Sequence, residues 1–181
     1  MEFSILFTKT LGIFTLLGNV AFVLLLVLHV TAKPLFKKIT EWVGEHVLLL
    51  GFFLSAAATV GSLVYSEVVG YPACILCWIQ RIFMYPLPFL FGLALVRRDR
   101  SVVPYALLLA VVGGLVALYQ WAKDMLALYS NVTVPCPAVS DLPSCDRIYV
   151  LEFGYITIAM IALNAFLLIA AVLYMSIRRT K

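Results

Sequence analysis

Charge is scarce in this chain. Asp, Glu, Lys and Arg make up 12% of its 181 residues, about half the share found in ordinary soluble domains. Hydrophobic residues reach 64% and mean hydropathy is +1.07, leaving too little polar surface to coat a water-soluble globule of this size. These scarcities exclude a soluble enzyme, a disordered tail and a coiled coil. Basic residues number 13 against 9 acidic ones, a net charge of +4, and their placement suits a membrane surface rather than a nucleic-acid backbone. Histidine is limited to His29 and His46, so no set of ligand histidines exists, and no glycine-rich dinucleotide fingerprint is present. The alternating apolar and polar pattern of membrane β-strands is missing as well.

What is present is long apolar runs. A helix needs about 20 mostly apolar residues to cross the hydrocarbon core. Five stretches qualify, near 10–30, 47–66, 78–96, 102–121 and 149–175. The expected fold is all-α, a polytopic membrane helical bundle. Lysine and arginine then orient it, because cytoplasmic segments carry the excess. Lys33, Lys37, Lys38, Arg97, Arg98, Arg100, Arg178, Arg179 and Lys181 fall in the alternate segments 31–46, 97–101 and 176–181. Lys9, Arg81, Lys123 and Arg147 fall in the others. The bias places the N-terminus, the turn near 67–77 and the segment 122–148 outside, and the C-terminus in the cytoplasm. The first run is longer than a signal core, and His29-Val30-Thr31-Ala32-Lys33 is a poor cleavage site, so it is expected to remain as a helix.

Local features refine the bundle. Ala106, Ala110, Gly113 and Ala117 share one face of the fourth span, a small-residue surface for close helix packing. Pro86 and Pro88 should kink the third span or open its hydrogen-bond ladder. Tyr71, Trp78, Tyr119, Trp121 and Tyr149 lie near the outer boundary, where aromatic anchors belong. A short interfacial helix fits 119–129.

All four cysteines, Cys74, Cys77, Cys136 and Cys145, fall in the segments assigned outside, and none lies within the spans. The outer side of a bacterial membrane is the side where disulfides persist. Cys74 and Cys77 are separated by two residues at the start of the third span, which puts both sulfurs within one turn of a beginning helix. A helix N-terminus favours the thiolate. Arg81 lies one turn beyond Cys77 on the same face, and an arginine in a membrane helix is a functional-site candidate by default. It could instead snorkel to lipid headgroups. Gln80 could bond a carbonyl-bearing ligand or a neighbouring helix.

Cys136 and Cys145 sit in a loop rich in turn formers, with Pro135, Pro137, Ser140, Asp141, Pro143 and Ser144 around them. Four cysteines allow three pairings. Two structural bridges, a four-thiolate zinc site and a redox relay are the readings to weigh. One short, arginine-supported pair beside one loop pair favours the relay. Thiol–disulfide exchange can carry two electrons to the short pair, which then needs an oxidant. A quinone dissolved in the bilayer is the simplest one.

Pro72-Ala73-Cys74-Ile75-Leu76-Cys77-Trp78-Ile79-Gln80-Arg81 closely resembles the signature of the bacterial disulfide bond formation protein B family (DsbB), which includes the Gram-positive BdbC branch. The resemblance covers about 47–175: four spans, the short pair before the second of them and the loop pair between the last two. It implies a four-helix core and a membrane thiol:quinone oxidoreductase of the bacterial cytoplasmic membrane, using ubiquinone or menaquinone. By similarity Cys77 faces the quinone, Cys74 is its disulfide partner, and Arg81, with Gln80 beside it, lines the quinone site. Cys136 forms the mixed disulfide with an extracytoplasmic thioredoxin-like thiol oxidase of the DsbA or BdbD kind, and Cys145 exchanges with Cys74.

Residues 1–46, an extra N-terminal helix and a cytoplasmic loop, depart from the four-span pattern and precede the redox core 47–175, which a basic tail at 176–181 follows. A vitamin K epoxide reductase-like protein is the nearest rival, but there the loop pair precedes the short pair. A noncatalytic membrane protein stapled by two disulfides is the rival from another class, and it would not need Arg81 in register with Cys77.

Overall fold

The computed structural model describes residues 2–130, 143–145 and 147–179. Seven helices form among them: α1 (Glu2–Thr31), α2 (Lys33–Glu45), α3 (Val47–Leu63), α4 (Ile75–Met84), α5 (Pro86–Arg97), α6 (Val103–Ser130) and α7 (Ile158–Arg179). Among the described residues no strand forms beyond an isolated bridge between Glu152 and Ile156. Five helical stretches are long and apolar enough to cross a membrane: α1, α3 with its extension, α4 with α5, α6 and α7. The all-helical membrane bundle expected from the sequence is the fold observed.

The core forms where α6 meets α7 and where α3 meets α5. Ala106, Ala110, Gly113 and Ala117 are all buried, so the small-residue face does what its spacing implies. The missing side chain at Gly113 is what admits the Phe166 ring, since a Cβ there would overlap it. Gly51 does the same for Phe91, whose ring would lie 2.8 Å from an added Cβ. Both phenylalanines are fully buried. In lipid no hydrophobic drive holds helix to helix, so such close fits carry much of the association.

The third span is broken at Tyr85, where α4 ends and Pro86 opens α5. Proline lacks the N–H that would continue the ladder, as the sequence suggests. Helix α3 ends differently. Its last turn widens into a π turn at Val64–Val68, with the Val69 N–H donating to the Val64 carbonyl at 2.9 Å. Such turns recur at functional sites. This one carries Tyr65.

Three expectations need correction. Residues 33–45 are not a loop but an amphipathic helix: Thr40, Val43 and Gly44 are buried while Lys33, Lys37 and Lys38 stay exposed. The fourth span does not end near 121 with a separate interfacial helix after it. It runs unbroken to Ser130, about 42 Å at 1.5 Å per residue, because no proline or glycine interrupts 115–130. The last span begins at Ile158 rather than 149. Phe153 (φ 51) and Gly154 (φ 79) adopt left-handed backbone and reverse the chain there. Trp121 and Tyr129 of α6 pin this turn, donating to the carbonyls of Tyr155 (2.9 Å) and Gly154 (2.7 Å).

Gly113→Ala should lower the melting temperature of the detergent-solubilised protein, at a cost of about 1–3 kcal/mol from overpacking. Gly113→Ala combined with Phe166→Leu should recover part of it. Circular dichroism melts measure both.

Candidate functional site

The site lies at the end of the bundle where α4 begins and α3 and α6 finish. Cys74 has extended backbone (φ −77, ψ 173) and caps α4, so Cys77 falls in the first helical turn. Their sulfurs stand 3.5 Å apart. A sulfur–sulfur bond is about 2.05 Å long, so a small side-chain rotation separates the dithiol from the disulfide. Cys74 donates toward Cys77, and that bond, reinforced by burial, holds the Cys74 thiol well above the usual range.

Cys145 is buried against Cys74 and Leu76 in one small cluster, with Cys77, Ile79 and Val116 at its edge. A residue 71 positions along the chain from Cys74 is thereby delivered to the short pair. Cys136 lies outside the described residues, as do Pro135, Pro137, Ser140 and Asp141. The backbone of Cys145 is held from α6: the Lys123 ammonium donates to its carbonyl at 3.0 Å. Lys123 is only 3% exposed, and its neighbour Asp124 accepts from Thr157 at 3.0 Å. Buried charges are costly unless well partnered. Here they clamp the loop end to the bundle.

Gln80 takes the neighbouring-helix option, donating to the Gln120 carbonyl oxygen at 2.7 Å. Gln120 is the residue that sequence reasoning missed. Its amide nitrogen lies 3.7 Å from the Cys77 sulfur and 3.9 Å from that of Cys74, so it can donate to whichever sulfur carries charge. Its only advance signal was a polar side chain in an apolar stretch. The Arg81 guanidinium bonds Ser62 of α3, through Nε to the hydroxyl (3.1 Å) and through an Nη to the carbonyl (3.3 Å). It sits over the rings of Trp78 (5.1 Å) and Tyr85 (5.9 Å). These partners hold it in the protein.

Tyr71 and Tyr149 are more than interfacial anchors. Their rings stack at 4.9 Å, and Tyr65 stacks on Tyr71 at 6.0 Å. Together they wall a mainly apolar cleft of about 150 Å³ onto which Cys77, Cys74, Arg81, Gln120 and Asp124 open.

Within a multi-pass helical membrane protein, a buried thiol and a half-buried one side by side, with a third packed on them, form the arrangement that thiol–disulfide exchange requires. The comparisons agree. The family model described as "Disulfide bond formation protein DsbB" matches residues 44–176. A relative from Bacillus cereus named "Probable disulfide formation protein C 1" is 36% identical over 134 residues, 74% of this chain and 94% of its own. "Probable disulfide formation protein" of Oceanobacillus iheyensis is 39% identical over 133 residues, 74% of this chain and 89% of its own. A protein of the same name from Coxiella burnetii is 36% identical over 138 residues, 76% and 92% of the two chains. No solved structure gives a significant match. The chain belongs to the DsbB family and is a disulfide bond formation protein of the membrane.

Gln120→Leu should leave the Gln80 amide buried and unpaired, costing about 1–3 kcal/mol. Adding Gln80→Leu should restore much of that. Thermal melts of the reduced protein test the pair.

Proposed function

We propose that this protein is a thiol:quinone oxidoreductase that reoxidises an extracytoplasmic thioredoxin-like thiol oxidase and passes two electrons to a membrane quinone. The observation that carries the reading is the position of Cys74, in sulfur contact with Cys77 on one side and packed against Cys145 on the other, while Cys77 opens to an apolar cleft. A cavity of this volume accepts a six-membered ring, and its polar groups are few and convergent, as small-molecule sites require. Arg81 and Gln120 are placed to hold a ligand's carbonyl oxygens beside Cys77. Bound quinone supplies the two-electron, two-proton oxidising capacity that a dithiol cannot provide for itself.

The chain's own steps balance as thiol–disulfide exchange. A partner thiolate attacks Cys136 of the closed loop pair, and Cys145 leaves with the electron pair. Resolution by the partner's second thiol releases its disulfide and leaves Cys136 and Cys145 reduced. Cys145 then attacks Cys74 of the closed short pair, and Cys77 is the leaving thiolate. Cys136 resolves the Cys74–Cys145 bond, which restores the loop disulfide and leaves Cys74 and Cys77 reduced beside the cleft. The lysine and arginine bias supports an orientation with this end outside the cytoplasmic membrane and the C-terminus inside. The family assignment weighs against the vitamin K epoxide reductase-like and stapled readings.

Purified protein, a reduced thioredoxin-like donor and a panel of ubiquinones and menaquinones, followed by quinone absorbance, test the whole route. Cys74→Ser and Cys77→Ser should each abolish turnover, and Cys136→Ser should prevent capture of the donor as a mixed disulfide on a non-reducing gel. An unchanged rate in either of the first two removes the mechanism. Arg81→Met should raise the quinone KM by about tenfold or more, the effect of losing a charged hydrogen bond, with a smaller effect on melting. A loss confined to expression or melting would make Arg81 a structural tie between α4 and Ser62 of α3.

A further inference from the structure

Helix α1 precedes the residues that the family model matches, 44–176, so the four-helix core does not account for it. Most of its surface is exposed and apolar, as a lipid-facing helix should be. One seam is different. Thr8, Gly12 and Thr15 are buried, spaced three and four residues apart, and Gly18 and Asn19 continue the same face. Gly12 lies against Glu152, with an added Cβ 3.4 Å from that side chain, and Gly18 fits against Asn164 of α7. The Asn164 amide donates to the Asn19 carbonyl oxygen at 2.6 Å, and the Asn19 amide reaches the Tyr155 hydroxyl at 3.4 Å. Small residues and side-chain amide bonds in an apolar helix fix a definite contact and rotation. A helix serving only as an anchor needs neither.

That rotation has a consequence at the cleft. It turns Phe7 onto Tyr65, edge to face at 5.2 Å, and Leu11 over Gly61 of α3, where an added Cβ would lie 3.9 Å from the Leu11 methyl. Leu11 thereby joins the lining of the cavity onto which Cys77 opens. Tyr65 is 5% exposed and belongs to the π turn, so α1 packs on the irregular part of the wall.

We propose that α1 is the side wall and selectivity gate of the cleft: Leu11 closes its flank between α3 and α7, and so limits the size of lipid-soluble molecule that reaches Cys77. This rests on the reading of the cleft as the entry for a membrane oxidant, and the test separates the two. In full-length protein carrying Cys74→Ser, Cys136→Ser and Cys145→Ser, Cys77 is alkylated with N-ethylmaleimide and with the bulky N-(1-pyrenyl)maleimide. Leu11→Ala should speed the bulky reagent severalfold with little effect on the small one, and Leu11→Trp should slow it. Ile13→Trp, on the lipid-facing side of α1 (Ile13 is 52% exposed), should change neither. Equal bulky-reagent rates in the Leu11 variants and their parent would overturn the proposal.

In the four-cysteine protein, Leu11→Trp should raise the KM for a short-tailed ubiquinone about tenfold, the scale of a changed pocket contact, and leave the KM for the protein donor unmoved. Alkylation that responds to Leu11 in a protein that reduces no quinone would uphold the gate and end the quinone reading. Quinone turnover with both alkylation and KM indifferent to Leu11 would end the gate alone.

Discussion

The arrangement depends on one residue being shared between two contacts. Cys74 sits at the junction of extended chain and helix, where its sulfur touches Cys77 within α4 and also packs against Cys145 from the segment between α6 and α7. Exchange through a disulfide requires attack in line with the bond being broken, so a sulfur that serves two partners must be held between them. The N-cap position supplies this. It faces the first helical turn by geometry, and, being outside the helix, it is also open to a residue packed from another segment. One residue deeper, and the ladder of α4 would enclose it.

Everything around that junction works to deliver Cys145. The buried Lys123 ammonium takes its carbonyl, and Asp124 engages Thr157 at the start of α7. Trp121 and Tyr129 hold the turn just before it. Four residues of one α6 segment therefore grip the chain at Cys145 and again over Gly154, Tyr155 and Thr157. Charges in a low-dielectric site hold geometry more firmly than they add stability, and here geometry is what the sulfurs need. Gln120, one turn earlier, completes the row by facing both sulfurs of the short pair.

How much of this could be read beforehand follows from the range of each interaction. The short pair and Arg81 are legible because one helical turn relates them, and their spacing is written in the chain. The number of membrane helices is legible because hydrocarbon demands length and apolarity. The small-residue face of α6 is legible for the same local reason. Gln80 with Gln120, and Arg81 with Ser62, join residues 40 and 19 positions apart, and no local pattern links them. The end of α6 is misjudged because Trp121, Lys123 and Asp124 look like a boundary when read one by one. Lys123 and Asp124 are buried, and all three are partners of chain far along the sequence, at Cys145, Tyr155 and Thr157. The start of α7 is misjudged because the left-handed backbone at Phe153 and Gly154 leaves no break in hydropathy.

The length of α6 carries a last implication. A rod of about 42 Å exceeds the roughly 30 Å of hydrocarbon it has to cross by about 12 Å, and counted from Val103 the surplus begins near Lys123. Membranes differ in thickness by a few ångströms, and proteins absorb the difference by tilting or by deforming nearby lipid. In this bundle the three described sulfurs are tied to side chains of one stiff post, Gln120 facing Cys74 and Cys77 and Lys123 holding Cys145. Lipid can rise or sink around that post while the spacing of the sulfurs stays fixed.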